Sequence, residues 1–173
     1  MKILLVVIVA FVALLLIILF FHYNNVEVSL RKAAGAQEKN IAAIHDAMWK
    51  IIKEKAGVAE KYRETFERIY PELISGRYKS DSAGAMKWIK ESNPDFDTAL
   101  YSDLMTAIES QRILFQRAQQ RMLDIIRERD TLLNKMTDKF FIMNKEPISY
   151  EVIVSDHTRD VMETRTDNEL LQL

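Results

Sequence analysis

Residues Ile3 to Phe21 form a run of nineteen in which no side chain carries a charge or a strong hydrogen-bonding group. As an α-helix rising 1.5 Å per residue, the run is roughly 28 Å long, close to the roughly 30 Å hydrocarbon core of a bilayer. A cleaved signal has a shorter apolar region, followed closely by small residues. Here Phe20, Phe21, His22 and Tyr23 follow, and their rings fit poorly where a signal peptidase wants Ala or Gly. The Ala34-Gly35-Ala36 pattern lies well past the run. The reading is therefore a retained single-pass anchor at 1–22 rather than a cleaved signal, placing the protein at the cell membrane. Phe20, Phe21 and Tyr23 would form its interfacial belt. The span has neither polar residues for an ion path nor a Gly-xxx-Gly packing motif.

Orientation is balanced. Lys2 ahead of the run favours export of the body. Arg31, Lys32 and Lys39 behind it favour retention on the cytoplasmic side.

The remaining residues suffice for one domain with a core. The formal net charge of −1, from 24 basic and 25 acidic side chains, gives no electrostatic footprint for nucleic acid. The chain has no cysteine, which excludes disulfides, thiolate metal sites and a cysteine nucleophile, and leaves the compartment open. Four glycines and three prolines across the chain predict long helices.

Ile41, Ile44, Met48, Ile51, Val58, Tyr62, Phe66 and Ile69 recur at three- and four-residue spacing, predicting one helix that ends or kinks at Tyr70-Pro71, with Gly76 as a stop. Lys55 interrupts that stripe. A shorter helix is predicted over Ser82 to Glu91, capped by Ser80 or Asp81, with Met86, Trp88 and Ile89 on its apolar side. Asn93 as cap, Pro94 as first residue and Asp95 and Asp97 near the positive end predict a long helix from there to about Phe140. Tyr101, Ile108, Phe115, Met122 and Met136 share one heptad position of it, and Leu104, Ala118, Ile125 and Leu132 another. Gln111 and Arg129 fall in the same seam, where they would either fix register or sit at its edge. Leu100, Ala107, Leu114, Ile126 and Leu133 widen the stripe as packing on two neighbours would require. In the tail Ile148, Tyr150, Val152 and Val154 alternate as in a strand. Beyond them the chain is mostly polar up to Leu170, Leu171 and Leu173.

The predicted fold is all-α: an anchor at 1–22, an elongated antiparallel helical bundle at 23–145, and a short extended, partly ordered tail at 146–173.

Signals for chemistry are sparse. His22, His45 and His157 form neither Glu-x-x-His nor His-Glu-x-x-His patterns and read as surface or interfacial side chains. No phosphate loop and no nucleophile elbow occurs. The acidic residues are scattered beside Lys and Arg, as in the stretch from Arg127 to Asp130, and read as solvated faces. The expectation is no catalytic residue, no metal and no cofactor.

The segment HYNNVEVSLRKA after the apolar run resembles the LemA family, whose members carry a membrane helix, then Tyr-Asn and a Leu-Arg pair. Tyr23, Asn24, Leu30 and Arg31 match that pattern. HDAMWKIIKEKAG is similar to the family's Asp-Leu-Ile-Pro-Asn-Leu-Val segment through Asp46, Met48, Lys50, Ile51 and Ile52. ESQRILFQRAQ is similar to its Glu-Asn-Arg-Ile-x-x-x-Arg stretch through Arg112, Ile113 and Arg117, and RERDTLLNKM to a later Tyr-Asn-x-Leu-Ile run through Asp130, Leu132 and Leu133. Trp49 and Arg129 depart from the family's Pro and Tyr. The resemblance implies a divergent member: a long antiparallel bundle on a single anchor, with the short N-terminus outside.

The function expected on these grounds is a membrane-anchored scaffold or adaptor, acting through protein–protein contacts. Its partners would be the lipid bilayer, other membrane or membrane-associated proteins, or a second copy of the chain, with no nucleic acid and no small-molecule substrate. Tyr23, Asn24, Arg31, Ile148, Tyr150, Val152 and Val154 are the expected partner contacts. An enzyme with a site of scattered acids and a pore or fusion protein are the alternatives.

Overall fold

A computed structural model describes residues 1–75, 82–135, 140–154 and 156–165. Among them the fold is all-α, with no strand. Helix α1 is Lys2–Ala56, α2 Arg63–Ser75, α3 Ser82–Ser92, α4 Tyr101–Asn134 and α5 Asp156–Thr164, with 3-10 turns at Glu60–Tyr62 and Thr98–Leu100. The chain divides into two compact units. One comprises Met1–Asn40 and Gln120–Tyr150, the other Ile41–Gln119 and Glu151–Leu173. The expected caps at Ser80 and Asp81, the stop at Gly76, and Met136, Leu170, Leu171 and Leu173 lie outside the described residues.

The apolar run and the amphipathic helix after it are one uninterrupted helix. No residue from Val26 to Ala34 breaks it, and Gly35 sits in open space. After the run its buried positions include Glu27, Ala34, Ile41 and Met48 at seven-residue spacing, joined near its C-terminus by Trp49, Ile52 and Ala56. Tyr101, Leu104, Ile108, Phe115, Ala118, Met122, Ile125 and Arg129 continue the two seams expected in α4, and all but Tyr101 are buried. None of the residues expected to widen that stripe is fully buried. Leu100 and Leu114 are exposed, and Ala107, Ile126 and Leu133 are half-buried.

In the second unit the helix expected to run past Val58 is broken. Gly57, at φ +64°, ends α1 in the left-handed conformation that lacks a Cβ penalty. Buried Val58 follows, and the chain turns into α2. Pro71, expected to end or kink the next helix, lies inside α2, which continues to Ser75. Proline removes one donor, the one that would reach the Glu67 carbonyl. Buried Phe66, Tyr70 and Leu73 hold the helix across that gap.

The expected start of α4 is also displaced. Asn93 does not cap it: its backbone N–H donates to the Ile89 carbonyl at 2.7 Å, and its Nδ2 donates to the Ala56 carbonyl at 2.8 Å. Asn93 thus closes the C-termini of α3 and α1. A turn to buried Phe96 follows, and Asp97 takes the capping role, its Oδ1 accepting from the Ala99 N–H at 2.8 Å. Helix α4 then begins at Tyr101 and ends at Asn134, short of the expected Phe140, which lies in a turn.

The core of this unit is aromatic. Phe66 lies 5.3 Å from Trp49 and 5.5 Å from Tyr70, Tyr70 lies edge-on to Phe115 at 5.5 Å, and His45 meets Tyr70 at 4.2 Å. An ionic network borders it. His45 Nε2 is 2.8 Å from Glu67, Arg63 is 3.0 Å from Asp46, and Lys53 is 2.6 Å from Glu60. The Lys53 hydrogen bond first, then the Lys53 and Arg63 charges and a hydrogen bond from Trp49, hold the Glu60 carboxyl below its ordinary pKa.

A Cβ at position 57 would lie 2.8 Å from Asn93 Nδ2, the atom that caps Ala56. Gly57→Ala is therefore expected to cost about 1–3 kcal/mol by left-handed strain alone, with the lost cap in addition. Thermal unfolding in detergent, followed by circular dichroism, checks this. Combining it with Asn93→Ala should cost less than the sum of the two single changes, because the clash and the cap share one atom.

Candidate functional site

The site is in the first unit, where α1 leaves the apolar run. Within one turn of Phe21, Tyr23 and Asn24 meet the segment that follows α4. Phe20 and Phe21 lie edge to face at 5.7 Å, both exposed. Tyr23 is half-buried and stacks on Phe141, 5.9 Å away and tilted by 18°. Asn24 uses both ends of its amide. Its Nδ2 donates to the Phe141 carbonyl and its Oδ1 accepts the Met143 N–H at 3.0 Å.

One turn further, Glu27 is buried, 2 % exposed, against Arg129, which is 0 % exposed. Arg129 Nε and Nη2 both lie 2.9 Å from Glu27 Oε1. Arg31 approaches the same oxygen, with Nη2 at 3.1 Å and Nε donating at 3.2 Å. Two guanidinium groups thus converge on one carboxylate. A buried charge is tolerable only when so paired, because desolvation alone costs several kcal/mol per ion. Arg129 Nη1 finds no acceptor among the described residues.

Both arginines also reach the segment after α4. Arg129 Nη2 donates to the Asn144 carbonyl at 3.4 Å, and Arg31 Nη2 to the Glu146 carbonyl at 3.0 Å. In the second unit Gln119 repeats what Asn24 does in the first. Its Nε2 donates to the Ile153 carbonyl at 3.1 Å and its Oε1 accepts the Ile153 N–H at 2.8 Å.

Residues 142–154 are thus an extended strap whose backbone bonds to helix side chains. The alternation expected of a strand is present in the burial: Ile148, Tyr150, Val152 and Val154 are half-buried, while Ser149, Glu151 and Ile153 are exposed. No strand forms, because the partners of its backbone are amide and guanidinium groups rather than another backbone. Burial, then the nearby Glu38 carboxylate, push the Tyr150 hydroxyl above its ordinary pKa.

The candidates on α1 meet Phe141, Met143 and Glu146, not the candidates Ile148, Tyr150, Val152 and Val154. Tyr23 stacks on Phe141, and the polar groups of Asn24 and Arg31 are occupied by the backbone of the segment after α4. Arg129 lies at the centre of the seam, not at its edge. Glu27, Arg112 and Gln119 are buried polar residues that the sequence reading missed. A signal for Glu27 exists: it stands seven residues before Ala34, in register with Ile41 and Met48. His45 is half-buried and paired with Glu67, and the side chain of His157 lies outside the described residues. Among the described residues, no group of three or more His, Asp or Glu is arranged to hold a metal ion.

No family model, no curated protein and no solved structure matches this chain.

The buried pair yields a direct test. Arg129→Met leaves Glu27 buried with Arg31 alone and is expected to cost about 3–5 kcal/mol. Replacing both residues, Glu27→Leu with Arg129→Met, should recover most of that loss. Thermal unfolding of the three proteins in one detergent measures it, and a double variant as unstable as Arg129→Met would contradict the assignment.

Proposed function

We propose that the chain is a membrane-anchored helical scaffold or adaptor of the LemA type, acting through protein–protein contacts at a membrane surface and not by catalysis. The observation that carries this reading is the exposure of the apolar end of α1. None of its most apolar stretch is buried within the protein, and large apolar side chains face outward on every side from Ile3 to Phe21. At about 25 cal/mol per Å² of apolar surface, that arrangement is costly in water and matched to lipid.

Two further observations support it. Ile113 and Leu114 leave apolar surface uncovered on α4 in the second unit, as a contact face for another protein would. Three of the four residues carrying the LemA resemblance after the span, Tyr23, Asn24 and Arg31, are the ones that hold the segment after α4. Residues shared for an architectural reason behave in this way. Tethering raises the local concentration of the uncovered face for partners in the same membrane.

The absence of cysteine makes the test clean. Single cysteines at Ile113, Leu114 and, as a control, polar and exposed Gln116 are labelled with a photo-crosslinker in native membranes. The protein is expected to resist alkaline extraction and to give discrete adducts from 113 and 114 but not from 116. Release into the soluble fraction, or adducts no stronger than those of the control, would contradict the proposal.

A further inference from the structure

The last turn and a half of the apolar run, Leu16 to Phe21, covers about 8 Å along the helix axis. Leu16, Ile17, Phe20 and Phe21 line an apolar groove there, and the fifth wall is Phe141. Phe141 is over a hundred residues away in the chain, so a sequence-distant loop stands at the level of the span's end. Its position is set by Asn24, which bonds the Phe141 carbonyl and the Met143 N–H, and by the Tyr23 ring stacked on its own. Ile142 is buried and roots the loop in the protein. The residues on either side face out: Phe140 is 75 % exposed and Met143 is 77 % exposed.

We propose that the loop Phe140–Met143 is a second membrane contact, inserting Phe140, Phe141 and Met143 into the bilayer interface beside the span. The inference rests on the anchor reading of α1 and extends it to a residue set that the hydrophobic run does not contain. The occupant is lipid because the loop continues a surface that is apolar all round and lies at the depth where the run ends. Aromatic side chains are favoured in that zone, and no charge interrupts the four residues. A helix held at one level by its own run is free to rotate and tilt. A loop bonded to its next turn, with its apolar tip in the same interface, removes that freedom and fixes the face on which Glu27 and Arg31 meet the strap.

The experiment uses the full chain in phosphatidylcholine–phosphatidylglycerol vesicles, with single cysteines carrying an environment-sensitive fluorophore. Phe140→Cys and Met143→Cys report the loop and Phe21→Cys the span. Lys32→Cys, exposed and roughly 16 Å further along α1, reports water. Probes at 140 and 143 should show blue-shifted emission and lose intensity to lipids spin-labelled near the headgroup to the same extent as the probe at 21. Quenching at 21 together with water-like signals at 140 and 143 would overturn the inference alone. So would a blue shift at 140 and 143 without lipid quenching, which would mean that protein covers the loop. Water-like signals at all three positions would overturn the anchor reading and the inference with it.

Discussion

A carboxylate and a guanidinium buried in the same helical seam must find each other. Glu27 and Arg129 each occupy a position that an apolar residue fills elsewhere along its own helix. Neither tolerates a slip along the helix, since a shift of one turn would leave Arg129 buried without its carboxylate and Glu27 with Arg31 alone. The pair therefore sets register in the first unit more strictly than aliphatic contacts do. It also has donors to spare. Arg129 and Arg31 both extend past Glu27 to carbonyls of the segment after α4, so the ion pair that aligns the helices also seats the strap.

The strap illustrates how an extended segment is satisfied without a sheet. Buried backbone groups need partners, and a lone segment lying on helices has no neighbouring strand to supply them. A side-chain amide carries an NH2 donor and a carbonyl acceptor in one plane, and so can match a peptide group's own donor and acceptor. Asn24 and Gln119 each present that plane to the strap, and the period-two burial of Ile148 to Val154 follows. The same alternation that reads as a strand in the sequence is produced here by one covered face and one open face.

Much of the fold is legible in the sequence. The all-α class, the long apolar helix and the seam from Leu104 to Ile125 all follow from spacing. What spacing does not carry is the third dimension. Gly57 and Asn93 break and cap helices as a pair separated by 36 positions, and local rules assign Asn93 to the wrong helix. Glu27 reads as one more charge in a charged stretch until its register with Ala34, Ile41 and Met48 is counted. The strap's partners lie more than a hundred residues away for Asn24 and Arg31, beyond the reach of any motif. Of the candidate residues named from the sequence, Tyr23, Asn24 and Arg31 hold the protein's own chain after the apolar run.

Polar side chains on α1 and α4 clamp an extended strap. Hydrogen exchange of the full chain in lipid nanodiscs, resolved to single amides between Phe141 and Val154, tests it most directly. The Met143 and Ile153 N–H groups, donated to Asn24 and Gln119, are predicted to exchange slowly, and to lose that protection separately on Asn24→Ala and Gln119→Ala. Fast exchange at both amides in the unaltered protein would contradict the claim.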